Sequence, residues 1–536
     1  MGQSRTGAIS TPPPTQADAT GAFDRLHGAA WPSFLAVAGC GSAILALAGP
    51  SAARLNPYYD AAVRSMGMSF HRFITGAFDP SATVAIDKPP FGEWLQVASV
   101  AVLGRGPVGL LAPAAIAGAA AVPLLAGAVR RVAGTVAGVI AAVALAVLPV
   151  AVLTARSDTP DALLALALVA AAACVLRVRG PRSTAWAAVA GACVGLAFEA
   201  KLSEALVAVP ALTAALALAA PRRRVLTVAL FGAAAAVVGL AWPLVVTLLP
   251  GAHPWPVGSS DGSVWSTLLG YGGAGRLGAA SAGHHAAVAP PGPLRLLSGT
   301  GVDVGRLFGT TAAMAVVAGL AAIAVSGRRR PRPDALVAAV LFGGWLLTGL
   351  VLFSAMPRLH VRYLEAVAPA AAAVLALGIA AAARTPRRAL AIAAVALAVP
   401  AGQAVTLARG QMTDGGTPGV RPPAEVAAMS GFLRAHQTGT YEAAVTTPDV
   451  AGPLIARDGR PVLLLTTSTG GHALVSPAML RADVAAGRVR FAYLGAGSCA
   501  RSCPAAARWA RRAGKDVSRA AGLPRSGRLY DLRGAA

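Results

Sequence analysis

The sequence predicts a polytopic α-helical membrane protein with about eleven spans and a C-terminal extracytoplasmic α/β domain. Three observations carry that prediction. Of 536 residues, 56% are hydrophobic and 13% charged, with a mean hydropathy of +0.62, whereas a soluble chain carries roughly 25% charged residues. Apolar runs, several longer than the ~18 residues that suggest a spanning helix, alternate with arginine clusters. Beyond residue 407 those runs stop, and short strand-like segments alternate with helical pattern.

The formal net charge of +24 is almost wholly arginine. Its clusters lie between apolar runs, so they read as a topology signal and not as nucleic-acid binding. Lysine occurs only at Lys88, Lys201 and Lys515. In a chain biased toward arginine, a lysine marks a place where a compact ammonium has a use.

Residues 1–30 are largely polar and Pro/Thr-rich and read as a disordered cytoplasmic tail, without a signal-peptide pattern. The membrane domain, 31–407, opens with a span from Trp31 to Pro50, and the first outer loop covers 51–106. Within it, Phe91–Leu103 is 13 residues long, ~20 Å as a helix and too short for a ~30 Å core, so it reads as an interfacial helix. That choice places Arg130-Arg131 inside, as the positive-inside rule asks, and carries the second acidic loop to the same outer face as the first. The remaining spans are 107–129, 132–154, 162–176, 184–198, 206–220, 225–249, 307–325, 336–353, 363–383 and 390–407, with a long outer loop at 250–306. The parity predicts a multi-pass protein of the cell membrane with a cytoplasmic N-terminus.

Residues 408–536 read as the extracytoplasmic domain, with a helix at Glu425–His436 and strands at Tyr441–Thr446, Val462–Thr467, Arg490–Leu494 and Arg528–Leu532. Cys499 and Cys503 form a C-x3-C pair with no neighbouring histidine, which favours a disulfide over a metal site, whereas Cys40, Cys174 and Cys193 sit in apolar runs as small core residues.

Polar side chains gather on the predicted outer face. The first loop holds Asn56, Tyr59, Asp60, Asp79, Asp87, Lys88 and Glu93, and the second holds Asp158 and Asp161. Later turns add Glu199, Lys201 and Glu204, then Asp261, Arg276, His284-His285 and Arg295, then His360, Arg362 and Tyr363. Carboxylates suit a general base for an acceptor hydroxyl or amine. Fixed cations at a membrane surface suit a phosphate leaving group. Against these readings, loop charges are often only solvated, membrane-end lysines snorkel, and Asp161 fits a helix N-terminus. Asp87-Lys88-Pro89-Pro90 resists the bland reading, because the proline pair fixes the backbone between an acid–base pair and a helix.

Asn56-Pro57-Tyr58-Tyr59, Phe78-Asp79-Pro80 and Asp87-Lys88-Pro89-Pro90-x3-Trp94 resemble the first outer loop of family-39 C-type glycosyltransferases, the group of protein O-mannosyltransferases and aminoarabinose transferases. Asp158-Thr159-Pro160-Asp161, Gly270-Tyr271-Gly272-Gly273-Ala274-Gly275-Arg276-Leu277 and His360-Val361-Arg362-Tyr363 extend the likeness, which is strongest to bacterial mannosyltransferase-like proteins with a C-terminal extracytoplasmic domain. The resemblance implies inverting transfer of mannose or a similar sugar from a polyprenyl-phosphate donor to a protein, lipid or polysaccharide acceptor at the outer face; the residues themselves show no pattern that asks for a metal or cofactor besides that donor. It implies that Lys88 binds the donor phosphate, with Lys201, Arg276, His360, Arg362 and Tyr363 as further phosphate-side candidates. Asp161 matches the second-loop acid. Many relatives carry an Asp-Glu pair where this chain has Leu55-Asn56, so either Asp60, Asp87 or Asp161 serves as base, Asp87 before the others, or the acceptor is activated differently. Two other readings stand beside the enzyme: a non-catalytic relative that binds polyprenyl phosphate or cell-wall glycan, and a lipid or sugar transporter.

Overall fold

A computed structural model describes residues 16–49, 55–179, 182–273, 275, 290–299, 303–326, 332–357, 359–383, 385–413, 423–436, 438–468, 471–495 and 503–535. Each apolar segment read as a span is helical, but the chain divides them unevenly. Among the described residues six helices are long and apolar enough to cross a membrane, or seven when Arg224–Gly239 and Ala241–Leu248, bent by 43°, count as one. Asp161–Val175 and Ala368–Ala382 are apolar but shorter. Pro107–Val147 is interrupted at Gly134, whose φ of 85° only glycine adopts cheaply. A Cβ on Gly138 would lie 2.9 Å from the Ala126 carbonyl, so the chain doubles back at this point. The first helix begins at Gln16, so the polar leader expected to be unstructured through residue 30 is partly helical.

Buried arginine holds helix ends together across the fold. The Arg156 guanidinium, 2% exposed, donates to the carbonyls of Leu45 (2.5 Å), Ala46 (3.2 Å) and Ala48 (2.9 Å) and to Met412 (3.3 Å). These carbonyls close the C-terminal end of Gln16–Leu47, where the macrodipole favours a cation. One side chain thereby fixes the second acidic loop against the first helix and the chain after the last one.

The first loop folds into short capped elements. Asn56 caps Pro57–Met66 by accepting from the Tyr58 amide at 3.0 Å, and Ser69 and left-handed Gly76 bound Phe70–Thr75. Strand β1 (Val84–Ala85) pairs in parallel with β2 (Trp255–Pro256), joining the first loop to the long loop at 250–306. Helix Phe91–Leu103 buries Gly92, Glu93 and Gln96 on one side and leaves Val102 83% exposed on the other.

After residue 422 the chain builds a five-stranded mixed sheet. Strands β3 (Ala444–Val445), β4 (Leu463–Leu464), β5 (Phe491–Tyr493), β6 (Lys515–Asp516) and β7 (Leu529–Asp531) lie in the order β4-β3-β5-β7-β6. The first three are mutually parallel, and β7 runs antiparallel to β5 and β6. Four of the five fall inside the strand-like runs of the sequence; β6 does not. This unit shares a core with the first loop, in which Tyr58, Ala61, Ala62 and Phe78 pack with Ala451, Leu454 and Ile455. Cys503 is disulfide-bonded, Cys40, Cys174 and Cys193 are free, and Cys499 lies outside the described residues.

Candidate active site

The proline pair after Lys88 turns the chain directly into Phe91–Leu103, and this helix is pressed onto the second acidic loop. A Cβ on Gly92 would sit 2.8 Å from the Pro160 Cβ, so glycine is needed for the approach. Gln96 Nε2 donates to the Asp158 and Leu110 carbonyls, each at 3.0 Å. Asp158 in turn accepts from the Asn56 amide at 2.9 and 3.1 Å. Two segments about seventy residues apart in sequence become one wall.

Lys88 lies in that wall, 5% exposed. Its ammonium donates to the Tyr59 hydroxyl at 3.1 Å and is ion-paired with Asp87. An ammonium has three N–H donors, and two are committed. Burial works against the charge, but Asp87, Tyr59 and Glu93 outweigh it and hold the Lys88 pKa above its ordinary value. Lys88 is therefore a fixed cation.

Lys201 supplies a second cation. It ends Ser183–Lys201 where the chain breaks into a 3-10 turn, and Leu202 takes φ 51°, a conformation an L-residue adopts only when its surroundings impose it. Its ammonium is ion-paired with Asp161 in the buried interior and stands 5.3 Å from the Tyr363 ring centroid. The Tyr363 ring meets His360 edge-on at 5.1 Å. Arg362 adds its field to both Tyr59 and Lys201.

The remaining candidates divide. Asp60 is ion-paired with Arg105. Asp79 accepts from the amides of Ser81, Thr83 and Val84 at 3.0, 2.9 and 2.8 Å; it shapes the turn before β1, and burial raises it to about 6 despite those bonds. Asp79, Asp158 and Asn56 thus each bind backbone amides of the loops. Arg276, His284 and His285 lie outside the described residues. Arg295 closes a helix end by donating to the Phe353, Met356 and Pro357 carbonyls. Among the described residues no group of three or more His, Cys, Asp or Glu is placed to hold a metal.

Glu93, named in the sequence only among the loop charges, belongs here. It is 1% exposed, its carboxyl oxygens have no hydrogen-bond partner among the described residues, and burial pushes it to about 7 with Lys88 opposing. Its place in the first turn after Asp87-Lys88-Pro89-Pro90 was the available signal.

Beside this wall runs an apolar groove of about 410 Å³, lined by Leu95, Ser99 and Leu103 of the motif helix, by Pro113 and Ile116, and by Leu163 and Leu166 behind Asp161. The Asp87-Lys88 motif precedes one helix that lines it, and Asp161 opens another.

Residues 87–247 match the family model described as dolichyl-phosphate-mannose-protein mannosyltransferase. Two Bacillus subtilis proteins are similar: "Putative mannosyltransferase YycA", 32% identical over 226 residues, which are 41% of this chain and 33% of that protein, and "Putative mannosyltransferase YkcB", 33% identical over 227 residues, 42% and 32%. The match spans about a third of the length of these relatives. Among solved structures, Cupriavidus metallidurans ArnT bound to undecaprenyl phosphate superposes with a TM-score of 0.57 at 16% identity over 80% of this chain and 85% of that one. The Archaeoglobus fulgidus oligosaccharyltransferase tethered to an acceptor peptide gives 0.56 at 15% identity, over 86% and 68%. The related structure of AglB with an inhibitory peptide and a dolichol-phosphate gives 0.53 at 14%, over 87% and 69%. The fold is that of the C-type glycosyltransferases, and the resemblance read from the motifs is borne out.

Proposed function

We propose that this chain, with the C-type glycosyltransferase fold and a mannosyltransferase-family segment at residues 87–247, transfers a sugar from a polyprenyl-phosphate donor to a cell-envelope acceptor at the outer face of the membrane. The observation that carries the reading is Lys88, a buried, permanently charged ammonium with an uncommitted N–H, at the head of a helix lining an apolar groove. A phosphate bound there places its isoprenoid tail along Leu95, Ser99 and Leu103. The undecaprenyl phosphate of the ArnT structure and the dolichol-phosphate of the AglB structure support such a ligand.

In the reaction the acceptor oxygen forms a bond to the anomeric carbon as the carbon–oxygen bond to phosphate breaks. The bond pair leaves with the polyprenyl phosphate. Direct displacement inverts the anomeric carbon, and mannose or a similar sugar fits the family match. Lys88 stabilises the charge that develops on the phosphate, with Lys201 and Arg362 deepening the positive field. The C-terminal unit, packed on the first loop, lies on the same outer side.

A second reading, a non-catalytic polyprenyl-phosphate or cell-wall glycan binder, draws on one observation: Asp60, Asp87 and Asp161 are each neutralised by a cation. The test uses membranes containing the full chain and an undecaprenyl-phosphate sugar labelled in the sugar. Label appearing in an envelope acceptor supports the transferase. Retention of donor without turnover supports the binder.

A further inference from the structure

A transferase needs a carboxylate to take the acceptor proton, and the three acids singled out by sequence are committed: Asp60 to Arg105, Asp87 to Lys88 and Asp161 to Lys201. Glu93 has no such partner but is sealed from solvent. One carboxylate near the Lys88 motif is buried only in part and is, among the described residues, without a hydrogen bond or ion pair. It is Asp449, and it comes from the C-terminal unit.

Asp449 lies in the first turn of helix Pro448–Asp458, which is fixed against Pro57–Met66 at both ends. A Cβ on Gly452 would lie 3.1 Å from the Pro57 carbonyl, so the two backbones are in direct contact. Arg64 donates to the Ala456 (2.9 Å), Arg457 (2.5 Å) and Asp458 (3.0 Å) carbonyls at the other end. The two helices thus run in the same direction. Asp449 and Gly452 are three apart and share a face, so the face that meets Pro57 and Tyr58 carries Asp449 one turn further toward the N-terminal end. The next residue, Tyr59, binds Lys88. Two buried hydroxyls lie along the same seam without partners among the described residues, Thr447 Oγ1 and Tyr58 Oη. Asp449 also faces Asp87 and Tyr58 electrostatically; burial and the Asp87 charge raise it to about 6, which leaves it ionised at neutral pH and close to the value a general base needs.

We propose that the C-terminal α/β unit completes the reaction site and that Asp449 is the catalytic base. Its carboxylate takes the proton of the acceptor hydroxyl while the acceptor oxygen bonds to the anomeric carbon. The bond to phosphate breaks, the pair leaves on the polyprenyl phosphate, and the proton passes from Asp449 to solvent. The role rests on the transferase reading above.

The experiment uses the full chain in lipid nanodiscs for binding of undecaprenyl phosphate, and membranes for transfer from a panel of undecaprenyl-phosphate hexoses and pentoses. Asp449→Asn is expected to bind undecaprenyl phosphate within twofold of the parent and to transfer at least about a hundredfold more slowly, with Asp449→Glu recovering part of the rate. Unchanged transfer by Asp449→Asn overturns the role. Parallel loss of binding and transfer also overturns it, since Asp449 would then be structural. Binding without transfer of any panel sugar by the parent overturns the transferase reading and the base with it, an outcome distinct from the other two.

Discussion

Lys201 is ion-paired with Asp161 in the buried interior, where the helix Ser183–Lys201 breaks against the second acidic loop. In such a place each charge depends on the other. Removing one partner leaves an uncompensated buried charge, which costs about 3–5 kcal/mol. Lys201→Met is therefore expected to lower thermal stability in detergent sharply, and Lys201→Met combined with Asp161→Asn to recover much of it. Differential scanning fluorimetry of the two variants and the parent checks this.

Gly92 sets the distance between the two motifs. Its Cβ-to-be meets Pro160 at 2.8 Å, and a proline ring cannot swing aside. Gly92→Ala should cost about 1–3 kcal/mol as overpacking and shift Lys88 away from the groove. Undecaprenyl phosphate affinity, measured beside stability, is expected to fall in this variant.

The joint between the C-terminal unit and the first loop depends on Arg64. Arg64→Met leaves three helix-terminal carbonyls without their cation, at an expected cost of about 1.5–3 kcal/mol for lost bonds to a charged group. Limited proteolysis should then release a fragment beginning near residue 423 faster than from the parent.

Glu442 in the C-terminal unit gives that unit a pH dependence. Burial and the neighbouring Asp458 raise its carboxyl to about 8, with Arg460 and Arg434 opposing. Between its unfolded value near 4.5 and about 8, the folded state holds a proton that the unfolded state releases, so stability falls as pH rises through that window. Glu442→Gln is expected to flatten this slope in melting curves taken from pH 5 to 9.

The membrane segments were legible because hydropathy needs only local composition: each apolar run is helical, although the run at 225–249 bends by 43° and the run at 132–154 breaks at Leu148. Asp87-Lys88-Pro89-Pro90 stands out in the sequence because lysine is rare and prolines fix the chain around it, and the structure buries Lys88 against Asp87 and Tyr59. What composition could not show was partnership. Arg64 and Arg156 bind carbonyls hundreds of positions away, and no local pattern separates such a helix-closing arginine from a topology signal. Asp79 looks like any loop acid until its three amides are seen. The paired state of Asp60, Asp87 and Asp161, and the arrival of Asp449 from the far end of the chain, exist only in three dimensions. Two-residue strands such as β6 are too short to leave an alternating pattern.

In the proposed reaction Lys88 holds a polyprenyl phosphate in position for sugar transfer. Equilibrium binding of undecaprenyl phosphate to the full chain in nanodiscs, comparing the parent with Lys88→Ala and with melting curves for both, tests it most directly. Affinity at least about tenfold weaker is expected in Lys88→Ala, with the fold retained. Undiminished binding by a folded Lys88→Ala protein would contradict it.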